Sequence, residues 1–168
     1  MRLFGRVDIA IMMVCRANIC RSPMAAGILR ARITRGGVPG NIRVASAGTH
    51  ASQPGRVPDA RAQRACTLDG IDIRRHRAQQ IRPRDFETFD YILAMDTPNL
   101  HWLLDSCQEL QHQKKISLIG SWADDAVVPE IPDPYYGNQE GFLQVFLLLD
   151  RAIEGFANKV LVHQGTRI

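Results

Sequence analysis

The stretch VCRANICRSPMA, Val14 to Ala25, holds a cysteine, five further residues, and then Arg-Ser-Pro. A cysteine in a core needs no arginine nearby. A cysteine that attacks something anionic does. The thiolate is the nucleophilic form, and a cation or a helix N-terminus favours it over the thiol. Arg21 offers a planar fork that binds two oxygens at once. Ser22 is placed to hydrogen-bond the sulfur anion, and Pro23 suits the first turn of a helix. The spacing predicts a curled loop from Cys15 to Arg21 whose backbone amides form a concave nest, with the partial positive charge of the following helix behind it. Such a loop fits a dianionic tetrahedral group (phosphate, sulfate or arsenate), with Cys15 aimed at its central atom.

The elements around this loop must hold it rigidly. VDIAIMMV reads as a buried strand by its β-branched and apolar run. A helix from Ser22-Pro23 carries Met24, Ile28, Leu29 and Ile33 and ends at Gly36-Gly37. IRVASAG is a second strand, and PDARAQRACTLDG a helix with Pro58 at its start and Gly70 at its stop. YILAMD is a third strand, followed by the helix TPNLHWLLDSC. KISLIG is a fourth strand. From Gln139 a long helix sets Phe142, Val145, Phe146, Leu149, Ile153, Phe156 and Val160 on one face. Strands alternating with helices predict an α/β fold, a four-stranded parallel sheet with helices on both faces. Ligands of such sheets bind beyond the carboxyl ends of the strands, where Cys15 sits.

With 168 residues the chain suits one domain spanning 1–168, with a single core and no internal repeat. No apolar run reaches the roughly 18 residues that a membrane crossing needs. The N-terminal MRLFGRVDIAIMMV superficially resembles a signal peptide, but Asp8 interrupts it and no small-residue cleavage site precedes Cys15. A cytoplasmic protein is expected. Its four cysteines, Cys15, Cys20, Cys66 and Cys107, need not be disulfide staples at this length. Cys66 and Cys107 fall on helix faces and read as core. No Cys-x-x-Cys pair or zinc-ligand spacing occurs. The net charge is +4, with a pI near 9.1. Apart from RRHR the basic residues are scattered, and no nucleic-acid-binding signature accompanies them. Phosphorylated or acidic ligands are the more economical partners.

The loop resembles that of the low-molecular-weight protein tyrosine phosphatases, whose pattern is Cys-x-Gly-Asn-Ile-Cys-Arg-Ser-Pro. SAGT at Ser46 to Thr49, RHRA around His76 and DPYY at Asp133 to Tyr136 match further motifs of that family in the same order. The resemblance implies a phosphocysteine intermediate on Cys15, a phosphate-binding loop of Arg16, Ala17, Asn18, Ile19, Cys20 and Ser22 closed by Arg21, and Asp133 as general acid. A phenol is a poor leaving group unprotonated, and a positioned acid accelerates its departure by roughly 10²–10⁴-fold. Asp133 lies in PEIPDPYYG, where prolines and a glycine forbid regular structure and Pro134 keeps it out of a helix. The resemblance also implies a supporting network of Asn18, Ser46 and His76, and Cys20 as a redox partner of Cys15. Arg21 and the loop amides suffice to neutralise a transferring phosphoryl group, so no cofactor and no metal is expected. Bacterial members commonly act on tyrosine autokinases that control exopolysaccharide export, which suggests a tyrosine-phosphorylated partner of that kind.

Three positions depart from the family pattern. Ala17 replaces a glycine, Arg16 adds a cation at the rim, and Ser52 stands near the place of an aromatic pocket wall. Tyr135 and Tyr136 remain to offer an aromatic face to a phenyl ring. Related chemistries fit less well. Arsenate reductases on this scaffold need two further cysteines in a segment after the second helix, and none lies between Cys66 and Cys107. Arginine phosphatases carry threonine where Ile19 stands. A non-catalytic phosphoprotein-binding module would have no need to keep Cys15, Arg21 and Asp133 together.

Overall fold

The centre of the molecule is β1 (Ile9–Cys15), in which all seven residues are buried. The computed structural model describes residues 9–36, 38, 40–125 and 129–162. The expected strand residues Val7 and Asp8, and Gly37 of the expected helix stop, lie outside them. Side chains alternate across β1, as strand geometry requires. Ile9, Ile11 and Met13 join one core cluster, and Ala10, Met12 and Val14 the other. A strand buried on both faces reads as an unbroken apolar run, the pattern of a parallel sheet.

Four parallel strands form the sheet, in the order β2-β1-β3-β4. They are β1, β2 (Ile42–Gly48), β3 (Tyr91–Ala94) and β4 (Ile116–Leu118). The first face is covered by α1 (Arg21–Gly36), α2 (Ala60–Thr67) and α6 (Gln139–Phe156). The opposite face is covered by α3 (Pro83–Thr88) and α4 (Thr97–Ser106), through Phe86 and Leu103. Ile11, Met13, Ile92 and Leu93 are fully buried, each contributing about 1.5–3 kcal/mol of transfer free energy. In α6, Phe142, Val145, Leu149, Ile153 and Phe156 form the buried stripe that their spacing predicts.

Some boundaries differ from expectation. The fourth strand stops at Leu118, and Ile119–Trp122 is a 3-10 turn. Gly120 packs against the Pro129 backbone so closely that a Cβ there would lie 2.0 Å from the Pro129 carbonyl oxygen. The chain therefore turns where a β-run would continue. Two short helices, α3 and α5 (Leu110–Gln113), were not expected. Six and four residues are too few to display a helical period. The last helix runs to Phe156 and then widens into a π-turn over Ala157–Val162, which still buries Val160.

The sheet order fixes where a ligand binds. From β1 the chain leaves to one side for β2, then returns to the other side for β3. The crevice where the order reverses lies at the carboxyl ends of β1 and β3, and these ends carry Cys15 and, just beyond Ala94, Asp96.

Candidate active site

The segment from Arg16 to Cys20 bridges β1 and α1 without regular structure. Most of the carbonyl groups here are engaged by other segments. Cys15 O accepts from Thr49 N (2.9 Å), Arg16 O from His50 N (2.8 Å), Ile19 O from Asp59 N (2.8 Å) and Cys20 O from Met24 N (3.3 Å). The His76 Nε2–H faces Asn18 O at 3.2 Å. By contrast, no acceptor among the described residues takes a backbone N–H of Arg16 to Cys20. A loop with its oxygens tied back and its N–H groups untied is a nest for an anion.

Asn18 is the hinge of this curl. It has φ 59°, alone in that region among the described non-glycine residues, and asparagine tolerates it better than most. Ala17 takes no such angle, so its β-carbon is accommodated where the family pattern has glycine. Asn18 Oδ1 accepts the Gln79 backbone N–H at 2.9 Å, which fixes which end of its amide donates. Nδ2 then donates to Ser22 Oγ (2.8 Å) and Ser46 Oγ (3.0 Å). Ser22 Oγ, already an acceptor, lies 3.0 Å from Cys15 Sγ and 3.4 Å from Ala47 O. Its one hydroxyl proton can go to Ala47 O or to the sulfur, and the sulfur contact is the shorter. Gln79 also holds Ser46 O through Nε2 at 2.9 Å. The SAGT glycine has a steric reason: a Cβ on Gly48 would lie 2.6 Å from Arg16 O.

Cys15, at the carboxyl end of β1, is 3% exposed. Arg21, the first residue of α1, is 2% exposed, so its charge must be paired. Nη1 donates to Asp96 Oδ2 (2.6 Å) and Ile131 O (2.9 Å), and Nη2 to Asp133 Oδ2 (3.2 Å). Burial disfavours the guanidinium charge, but the charges of Cys15 and Asp133 and the bond to Asp96 outweigh it and raise its pKa. Burial first, and the charge of Cys15 second, push the Cys20 thiol well above its ordinary range. The imidazole of His76 is lowered below its ordinary 6.5, mainly by burial. A neutral ring facing a carbonyl oxygen must carry its proton on Nε2.

Asp133 reaches the same cavity, of about 270 Å³, from the loop before α6. Its Oδ1 accepts the Tyr135 N–H at 3.2 Å. Tyr135 and Tyr136 line the mouth and meet edge to face, with ring centroids 5.0 Å apart. The lining also includes Ser52, Gln53, Arg56 and exposed Arg16. The structure thus brings Cys15, Arg16, Ala17, Ile19, Cys20, Arg21, Asp133, Tyr135 and Tyr136 to one cavity, and Asn18, Ser22, Ser46 and His76 behind it. Cys66 and Cys107 are buried elsewhere. Among the described residues no cluster of His, Cys, Asp or Glu is arranged to hold a metal ion, and no helix is long and apolar enough to cross a membrane.

Sequence reasoning missed several supports. Asp96 caps α4 through Asn99 N (2.8 Å) and grips Arg21. Its signal was an Asp before Thr-Pro at a strand end. Arg61 pairs with Asp59 and donates to Tyr135 O (2.9 Å) and Gly137 O (2.8 Å). That bond lowers the Asp59 carboxyl and raises the Arg61 guanidinium. Nothing local signals that Arg61 holds the Tyr135 loop or that Gln79 holds Asn18 and Ser46, because those partners lie far along the chain.

Residues 10–165 match the family model described as low molecular weight phosphotyrosine protein phosphatase. The rat low molecular weight phosphotyrosine protein phosphatase is 40% identical over 151 residues, covering 89% of this chain and 94% of its own. A protein tyrosine phosphatase from Entamoeba histolytica, solved with Hepes in its active site, superposes with a TM-score of 0.87 at 32% identity, over 94% of this chain and 99% of its own. Wzb from Vibrio vulnificus, solved with benzylphosphonate, gives a TM-score of 0.80 at 30% identity, over 90% and 99%. The chain belongs to the low molecular weight phosphotyrosine protein phosphatase family.

Proposed function

We propose that this chain, as one domain over 1–168, hydrolyses phosphotyrosine in proteins through a phosphocysteine on Cys15, with Asp133 as general acid. The observation that carries this is the convergence of Cys15, Arg21 and Asp133 on one cavity beneath untied loop amides. A phosphate dianion seated there takes the edge of Arg21 that Asp133 now holds at 3.2 Å, freeing that carboxyl to face the leaving oxygen. The Cys15 thiolate attacks phosphorus. The S–P bond forms as the aryl P–O bond breaks, and Asp133 gives its proton to the departing phenolate. Water then attacks the phosphocysteine, Asp133 takes the proton, and the thiolate leaves under the Ser22 hydroxyl. The charge on the transferring group is met by Arg21 and the amides, without a metal or other cofactor. Tyr135 and Tyr136 at the mouth suit an aryl ring better than an alkyl chain, which favours phosphotyrosine over phosphoserine. The proposed partner is a tyrosine-phosphorylated protein of the bacterial tyrosine autokinase kind, and the cytoplasm is the proposed setting.

The test is a panel of phosphotyrosine, phosphoserine and phosphoarginine peptides, run with a chelator and followed by acid quenching and mass spectrometry. The expected result is turnover of the phosphotyrosine peptide, unchanged by chelator, with phosphate trapped on Cys15. Cys15→Ser should lower turnover by about 10⁴ or more. Label trapped on another residue, or equal rates on phosphoserine, would refute the reading.

A further inference from the structure

A second cavity, of about 350 Å³, lies on the α3 side of the sheet. Met12 and Ala45, paired in register on β1 and β2, form its floor with Phe89. Met12 is three residues before Cys15, about 10 Å back along the strand. Three exposed arginines, Arg43, Arg82 and Arg84, stand around this floor. The Arg43 guanidinium lies 4.4 Å over the Phe89 ring. Among the described residues no carboxylate forms an ion pair with any of the three. Asp85 also lines the cavity, but its Oδ2 accepts the Arg82 backbone N–H at 2.8 Å. Three guanidinium groups against the one carboxylate of Asp85 leave the lining net positive, a field that attracts a further anion. The volume is at the lower end of the range for small-molecule sites.

Gln79 connects this cavity to the phosphate loop. It lines the cavity, while its backbone N–H holds Asn18 Oδ1 and its side chain holds Ser46 O. A ligand touching Gln79 therefore touches the residue that fixes the curl around Cys15.

We propose that this cavity binds a small polyanion bearing two or more phosphate groups, and that its occupancy is relayed through Gln79 to the phosphate loop. The arginine forks bind the phosphate oxygens, and the floor packs the rest of the ligand. A soluble diphosphate and a phosphorylated lipid headgroup share this chemistry. The cavity's size and its place against the sheet favour the soluble form.

The experiment titrates pyrophosphate into the full chain by calorimetry at fixed ionic strength, with orthovanadate saturating the loop at Cys15. The expected result is one pyrophosphate bound per chain, weakened at least about tenfold in an Arg82→Glu/Arg84→Glu double variant whose melting temperature and basal activity match the parent. No binding, or binding untouched by the double variant, overturns the site. Pyrophosphate that merely competes at Cys15 raises KM for an aryl phosphate and leaves kcat unchanged. The relay instead predicts a change in kcat of about twofold or more, lost in the double variant and in Gln79→Ala. An unchanged kcat overturns the relay. Retention on vesicles carrying phosphatidylinositol bisphosphate without response to pyrophosphate overturns the soluble assignment. The calorimetric arm compares parent and double variant directly, so its outcome stands apart from that of the phosphatase reading.

Discussion

The floor and the lip of the cavity are built on opposite principles. On the floor, Cys15, Asn18, Arg21, Ser22 and Ser46 are all 3% exposed or less. The polar groups there are held by partners from other elements: β2, the segment around His76, the Asp96 cap of α4 and, for Arg21, the loop before α6 as well. On the lip, Asp133 is 46% exposed and Tyr136 is 98% exposed. The lip is tied down by the Arg21–Asp133 pair, by Arg61 and by buried Pro134, while the Tyr136 ring stands in solvent. A floor that must present amides and a sulfur to one tetrahedral group gains from rigidity, because misplacement by an ångström is expensive. In the proposed reaction, a lip that admits a phosphotyrosine side chain, lets Asp133 turn from Arg21 and releases the product gains from freedom. The untied amides and the exposed aromatics are two halves of one division of labour.

The sharpest way to break this comparison is to damage each half and read two signals, turnover and the alkylation rate of Cys15 by iodoacetate. Asp133→Ala, on the lip, should lower kcat about 10²–10⁴-fold for phenyl phosphate and much less for esters with acidic leaving groups. Its alkylation rate should hold. If leaving-group acidity makes no difference, Asp133 is not the proton donor.

Asn18→Ala, on the floor, should depress both signals, with kcat down about 10²-fold. It removes both Nδ2 bonds and the acceptor of Gln79, and it keeps a β-carbon at φ 59° without the polar side chain that helps asparagine adopt that angle. Asn18→Gly loses the same bonds without the strain and should be more stable than Asn18→Ala by about 1 kcal/mol. Equal melting temperatures would show that the backbone angle costs nothing there.

Arg61→Lys should cost less, about three- to tenfold in kcat, because a point charge cannot hold Tyr135 O and Gly137 O as the fork does. Alkylation of Cys15 should be unaffected. Loss of alkylation would place Arg61 in the floor and erase the distinction.

The smallest effect concerns pH. His76 is depressed in the folded state, so the unfolded chain binds the proton more readily. Its contribution is fully present above the ordinary value of 6.5 and is lost as pH falls through the folded value. His76→Gln should flatten the decline of melting temperature below about pH 6.5. An unchanged slope would remove His76 from the acid response.

Much of the floor was legible in the sequence because its chemistry is local. The span from Cys15 to Ser22 closes within one loop, so residue type and spacing state the geometry. The strand before it and the helix after it follow from short-range periodicity and from Pro23. Asn18 was matched as a network residue, but its left-handed backbone was not foreseen, since that angle emerges only when the loop closes over Gly48. The lip was less legible. Asp133 stood out by its neighbours, yet Asp96 and Arg61 act across 75 and 74 residues of chain, respectively, to Arg21 and Tyr135. The short helices α3 and α5 left no periodic trace.

By itself the sequence determined the alternation of strands and helices and the placement of a thiol, a guanidinium and a serine around one turn, since these depend on neighbours within a few residues. Only the tertiary structure decided which distant groups stand behind them. The sheet order sets β3 beside β1, bringing Asp96 to Arg21 and closing the crevice that Asp133 enters. Hydrogen bonds between remote segments have no period and no spacing to read. They exist only once the burial of β1 has forced those segments together.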